Sequence, residues 1–192
     1  MEQNQYQPNV QLIINGNSQE FSKLVDNYKN LVFTVALRML KNTEEAEEVT
    51  QDTFVKVFKS IKSFKGDSKF STWIYRIAYN SCLDRLKKIK KVQQIKSFDE
   101  ISGVEISDLS TVLDAIEREE KSKVLKQCIG LLSPSDSALL TLFYFEEKNL
   151  NELSKILNLT ENNVKVKLFR ARARLAKILK ERLNPETIKH YG

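Results

Sequence analysis

One segment carries the chemistry that narrows the function most. Between Asn162 and Arg174, the cations Lys165, Lys167, Arg170, Arg172 and Arg174 are interspersed with the apolar Val166 and Phe169. At 100° per residue, Val164, Leu168, Ala171, Leu175, Ile178 and Leu179 fall on one arc, the stripe by which a helix is buried. Asn162, Lys165, Val166, Phe169 and Arg170 lie roughly opposite. A solvated charged face accounts for the cations, but it leaves Val166 and Phe169 unexplained. Apolar side chains beside Lys and Arg suit base edges in a DNA major groove, where thymine methyls adjoin purine acceptors. Arg172 and Arg174 flank that face and are expected to hold phosphates, a sequence-independent contribution that weakens with salt.

Two further groups have binding character. Phe64, Phe70, Trp73, Tyr75 and Tyr79 are interleaved with Lys62, Lys65, Lys69 and Arg76, followed by a basic run from Arg85 to Lys96. In a small helical unit most such aromatics are core. Aromatics among cations also make a platform for unpaired bases, each stack contributing about 1–3 kcal/mol. Arg76, Asn80 and Asp84 recur every four residues as a polar stripe beside it. The second group is acidic: a helix from Glu44 to about Ile61 is expected to bury Ala46, Val49, Phe54, Val57 and Ile61, and to show Glu44, Glu48, Gln51, Asp52 and Val55 on its other side. An acidic face repels DNA, so it is either a protein-docking surface or plain solvated helix.

Catalysis finds no support. The single His, His190, stands at the C-terminal end, there is no glycine-rich phosphate loop, and the carboxylates sit on polar helix faces rather than paired in an apolar pocket. No catalytic residue, metal ligand or cofactor is expected. The two cysteines, Cys82 and Cys128, each lie in an apolar helical setting and read as reduced core thiols, with a disulfide or a metal site as the lesser alternative. No run of eighteen apolar residues and no secretory signal is present, so no membrane span and a cytoplasmic location are expected.

The elements that must position these groups are helical. With 41% hydrophobic and 29% charged residues but only 5 Gly and 3 Pro, the 192-residue chain favours an all-α fold. Asn15-Gly16-Asn17-Ser18 ends a short opening helix, with Ser18 able to cap the next; Asn42 or Thr43 caps the acidic one, and Ser71 or Thr72 starts a fourth. The overall charge of +6 is modest but segregated: the segment Ser97–Glu120 carries net −7, and Lys165–Arg182 carries net +7. Residues Val92 to Ser110 lose helical periodicity and read as a linker. After it, Ser133-Pro134 starts a helix, with Ser133 as cap and Asp136 completing an acidic capping box. A short helix Leu150 to Leu157 follows. Asn158, tolerant of left-handed backbone, then makes a tight turn, and Thr160 caps the basic helix: a helix-turn-helix.

In their order, these parts resemble one family. EEAEEVTQDTFVKVFKSI (Glu44 to Ile61), FSTWIYRIAYN (Phe70 to Asn80), and LLSPSDSALLTLFYFE with LNELSKILNLTENNVKVKLFRARARL are similar to the motifs of bacterial extracytoplasmic-function (ECF) RNA polymerase sigma factors, over about Gln11 to Arg182. The resemblance implies two small helical domains joined by a flexible acidic linker: region 2 over residues 11–92, the linker over 93–120, and region 4, with the helix-turn-helix, over 121–185. It implies a factor that binds core RNA polymerase, directs it to promoter DNA and assists its opening. Glu48, Gln51, Asp52 and Val55 would contact polymerase. Lys69, Trp73, Arg76 and Asn80 would engage the single-stranded downstream element. Asn162, Lys165, Val166, Phe169, Arg170, Arg172 and Arg174 would bind the double-stranded upstream element, and an anti-sigma factor is a further partner class. Asn158 stands where the family usually has Gly, and Val166 and Lys167 where it often has Ser and Arg, which bears on the bases preferred. The competing assignment is a freestanding helix-turn-helix regulator, which needs neither an acidic docking helix nor an aromatic-basic loop.

Overall fold

A computed structural model of the chain describes residues 6–93 and 118–183. The interior of the expected linker, residues 94–117, and His190 lie outside the described residues. Within them the secondary structure is helical: α1 Val10–Ile14, α2 Ser18–Leu40, α3 Thr43–Ser60 with a 3-10 turn Ile61–Ser63, α4 Phe70–Gln93, α5 Arg118–Leu131, α6 Pro134–Tyr144, α7 Leu150–Leu157 and α8 Glu161–Leu183.

Short polar side chains set the helix starts by satisfying orphan amides of the first turn. Asn17, rather than Ser18, caps α2, its side chain accepting from the Glu20 amide, while Gly16 before it takes a left-handed φ of 88°. Asn42 caps α3, with Glu44 and Glu45 in its positive first turn. Ser71 and Thr72 do not begin α4, which opens at Phe70; both are buried. Ser133 caps α6, but the Asp136 side chain is not turned back to it: its carboxylate reaches across to Arg174 and Lys167 on α8, which offer opposite charges.

Helices α1 to α4 enclose one apolar cluster built on Leu24, Tyr28, Val32, Phe54, Val57, Phe70, Ile74 and Ala78. A second cluster does not stop at the boundary between the two units. Val35, Ala36 and Met39 of α2 and Tyr75, Tyr79 and Cys82 of α4 pack in one continuous core with Cys128, Ile129, Leu139, Leu140, Leu153 and Ile156. The helix pairs that make this contact are α2 with α6 and α4 with α7. Cys82 and Cys128 are both buried as free thiols, and burial pushes the Cys82 pKa up to about 12.

Candidate nucleic-acid and polymerase interfaces

The reading helix α8 is held by its neighbours and its own apolar stripe. Asn149 and Glu152 form a reciprocal capping box at the start of α7. Asn158 ends α7 with φ 55° and ψ 49°, the left-handed conformation that turns the chain sharply, and Thr160 Oγ1 accepts the Asn163 amide at 3.2 Å to start α8. Val164, Leu168, Ala171, Leu175 and Leu179 are buried. That phase leaves Asn162, Lys165, Val166, Phe169 and Arg170 together on the exposed side, Val166 at 49% and Phe169 at 58% exposure. Arg172 and Arg174 are placed differently, engaged within the fold. The Arg172 guanidinium lies 4.9 Å from the Phe143 ring centroid and 5.6 Å from that of Tyr144. Arg174 Nη1 is 2.7 Å from Oδ2 of the buried Asp136. These two cations fix the pitch of α8 against α6 through stacking and charge.

The aromatic-basic segment forms the turn between α3 and α4. Gly66 adopts φ 79°, a backbone conformation that L side chains rarely adopt, and so lets the loop fold back. Phe64, Phe70 and Trp73 stack with centroid separations of 5.1 to 5.5 Å. Phe70 is core, whereas Trp73 and Phe64 are half-buried and line a pocket of about 430 Å3 with Lys65, Ser68, Thr72 and Arg76. Lys69, Arg76 and Asn80 are exposed beside it, so the four expected residues Lys69, Trp73, Arg76 and Asn80 share one side of α4 and its leading loop. Tyr75 and Tyr79 are buried in the core that the two units share.

On α3, Glu48, Gln51, Asp52 and Val55 are all exposed along one face. Arg85 of α4 grips it from the side, binding the carboxylates of Glu45 and Glu48. The sequence reading passed over Phe58, three residues beyond Val55, which extends the same face: it is 55% exposed and its ring stands edge-on to Phe21 at 5.1 Å. The helical period alone could have found it, since 48, 51, 55 and 58 succeed one another at near-integral turns. It also passed over Lys155, whose place on the rim of the Trp73 pocket depends on how α7 packs on α4. Among the described residues no group of three or more His, Cys, Asp or Glu side chains is arranged to hold a metal ion, and no helix is long and apolar enough to cross a membrane.

Comparison with known proteins gives these surfaces their context. The family models Sigma-70 region 2 and Sigma-70, region 4 match residues 24–92 and 122–175. The ECF RNA polymerase sigma factor SigW of Bacillus subtilis is 32% identical over 180 residues, covering 90% of this chain and 95% of its own. SigM of the same organism is 32% identical over 159 residues, covering 83% and 94%. Among solved structures, the sigma factor RpoE of Bartonella quintana, in complex with the anti-sigma factor NepR, superposes with a TM-score of 0.63 at 20% identity, over 84% of this chain and 98% of that one. CnrH, in complex with the cytosolic domain of CnrY, gives 0.59 at 20% identity over 90% and 95%. The match in sequence runs the length of both units and the fold agrees with it: the chain belongs to the ECF RNA polymerase sigma factors, non-enzymatic proteins that bind core polymerase and promoter DNA.

Proposed function

We propose a division of labour among the three surfaces, with region 2 spanning residues 11–92 and region 4 residues 121–185. The α3 face, Glu48, Gln51, Asp52 and Val55 extended by Phe58, docks on core RNA polymerase. An acidic face with apolar side chains in it suits a basic protein surface with an apolar centre better than it suits DNA. Lys69, Trp73, Arg76 and Asn80 hold the separated strand of the downstream promoter element, Trp73 supplying a stacking surface at the pocket mouth. Asn162, Lys165, Val166, Phe169 and Arg170 read the upstream element in the major groove; Arg172 and Arg174 orient that face and turn their remaining donors to phosphate. The acidic segment between the regions joins the two halves, the factor works in the cytoplasm, and an anti-sigma factor is among its partners, as NepR is for the Bartonella quintana RpoE.

The observation that carries this reading is the exposure of Val166 and Phe169 among cations, on the face opposite a fully buried stripe. A freestanding helix-turn-helix regulator would share that feature, but it has no use for the α3 face. Reconstitution with purified core polymerase tests the whole: binding at micromolar concentration or tighter, and permanganate-reactive thymines at a promoter selected from genomic DNA, are expected. Absence of binding at that concentration overturns the assignment of α3. Trp73→Ala should reduce permanganate reactivity more than initial promoter binding.

A further inference from the structure

Residues 6–9 stand ahead of the span assigned to region 2, yet together with α1 they meet the turn between α3 and α4 at both of its ends. At the incoming end α1 packs on the 3-10 turn Ile61–Ser63. At the outgoing end the Phe70 amide, one of the orphan donors in the first turn of α4, donates to Gln7 Oε1 at 3.4 Å across 63 residues of chain.

Gln7 is held in place by its neighbours. Tyr6 Oη donates to Glu20 Oε1 at 2.6 Å and the Asn9 amide donates to the same oxygen at 3.0 Å, so one carboxylate of α2 fixes the chain on either side of Gln7. The Tyr28 hydroxyl donates to the Tyr6 carbonyl at 2.5 Å, and the Asn9 side chain accepts the Leu12 amide to start α1. Aromatic rings continue the path inward. Tyr6 lies 6.2 Å from Tyr28, Tyr28 5.7 Å from Phe70, and Phe70 5.3 Å from Trp73, centroid to centroid. Tyr28 and Phe70 are 2% and 0% exposed, and in so dense a setting one ring of the column does not shift without moving the next.

We propose that residues 6–9 brace the downstream-element site, with Gln7 as a positioning residue: it sets the first turn of α4, and through that turn the pose in which Trp73 meets an unpaired base. The inference rests on the assignment of Trp73 to that strand. A binding surface has to be held within about 0.5 Å and 10–20° of its working pose by the hydrogen bonds behind it. Gln7 is exposed, so its side chain contributes little to the core. Its loss therefore falls on strand capture rather than on folding or on docking to polymerase through α3.

Trp73 is the single tryptophan of the chain, so its fluorescence reports on that pose directly. Acrylamide should quench it more efficiently in Gln7→Ala than in the native chain; equal quenching overturns the brace, whatever the DNA assays give. With reconstituted polymerase, Gln7→Ala should weaken binding to a promoter duplex carrying a pre-melted downstream element about two- to tenfold, the loss of one hydrogen bond, while affinity for core polymerase stays the same. Tyr6→Phe, which keeps the ring and removes only the donor to Glu20, should act in the same direction to a smaller extent. A double-mutant cycle locates the effect: in a Trp73→Ala background, Gln7→Ala should cost nothing further. Unchanged binding, full additivity with Trp73→Ala, or an equal fall in core-polymerase affinity overturns the positioning role. If Trp73→Ala alone leaves binding to the pre-melted duplex unchanged, the assignment of the strand to Trp73 is what fails, and the quenching result still decides the brace.

Discussion

Phe169 and Arg174 lie on the same helix five residues apart, and the structure assigns them opposite consequences on mutation. Phe169 is 58% exposed and its ring is part of the unburied side of α8, so Phe169→Ala removes little from the folded state; a change within about 0.5 kcal/mol is expected. Its loss falls on upstream-element binding, where burying such a ring is worth about 1.5–3 kcal/mol, roughly ten- to more than a hundredfold in affinity. Arg174→Ala removes the guanidinium 2.7 Å from Asp136, a carboxylate that remains buried with Lys167 Nζ at 3.9 Å as its other cation. Stranding that charge costs about 2 kcal/mol of stability, a fall in Tm of about 4–8 °C for a chain of this size. Thermal melts monitored by circular dichroism give the first quantity, and fluorescence anisotropy with a selected upstream-element duplex gives the second. If Phe169→Ala lowers Tm as far as Arg174→Ala while duplex affinity stays the same, the phase assigned to α8 is wrong and the exposed face is not the reading face.

The polymerase face makes its own demand: Phe58→Ala should weaken core binding by about 1–3 kcal/mol in a competition assay, with little change in Tm, because the ring is more than half exposed. Cys82, with a thiol pKa raised by burial to about 12, should resist iodoacetamide at pH 8 in the native protein and react once denaturant is added, as should Cys128, whose thiol burial also pushes up. Lys148 is 3% exposed, its ammonium donating to the Ser71 hydroxyl at 3.2 Å, and burial holds its pKa below the usual lysine value; Lys148→Met should raise Tm, since it keeps the stem and deletes the buried charge. Lysine carries its proton below about 10.5 in the unfolded chain and loses it at a lower pH in the folded one, so the native stability deficit at Lys148 should shrink as pH climbs towards that value. The difference in Tm between native and variant should narrow over the same range; a constant difference would show that the ammonium is solvated.

Much of the arrangement was legible in the sequence because helical phase and capping are local. The buried stripe of α8, the left-handed Asn158 and the caps at Asn42 and Ser133 all follow from side chains within a few residues of one another. What escaped depends on contacts distant along the chain. The Asp136 carboxylate pairs with Arg174 instead of completing its own box, and Arg172 finds Phe143 and Tyr144; neither preference has a short-range signature. Ser71 and Thr72, read as helix starters, are buried because α7 covers them, which no pattern within α4 could disclose. The whole contact between the two regions belongs to this class.

That contact bears on how the stretch between the regions can vary. Because α2 and α6 bury one common core, the packed helices set the separation between the end of α4 and the start of α5, and the stretch between them closes a loop in chain connectivity alone. The entropy of closing such a loop grows only with the logarithm of its length, so doubling it would cost the packed fold about 0.6 kcal/mol. Insertions there should be nearly silent in a melting curve of the isolated protein. The length of that tether is thus left to be chosen by the distance it must span on polymerase, with folding stability exerting almost no pull on it.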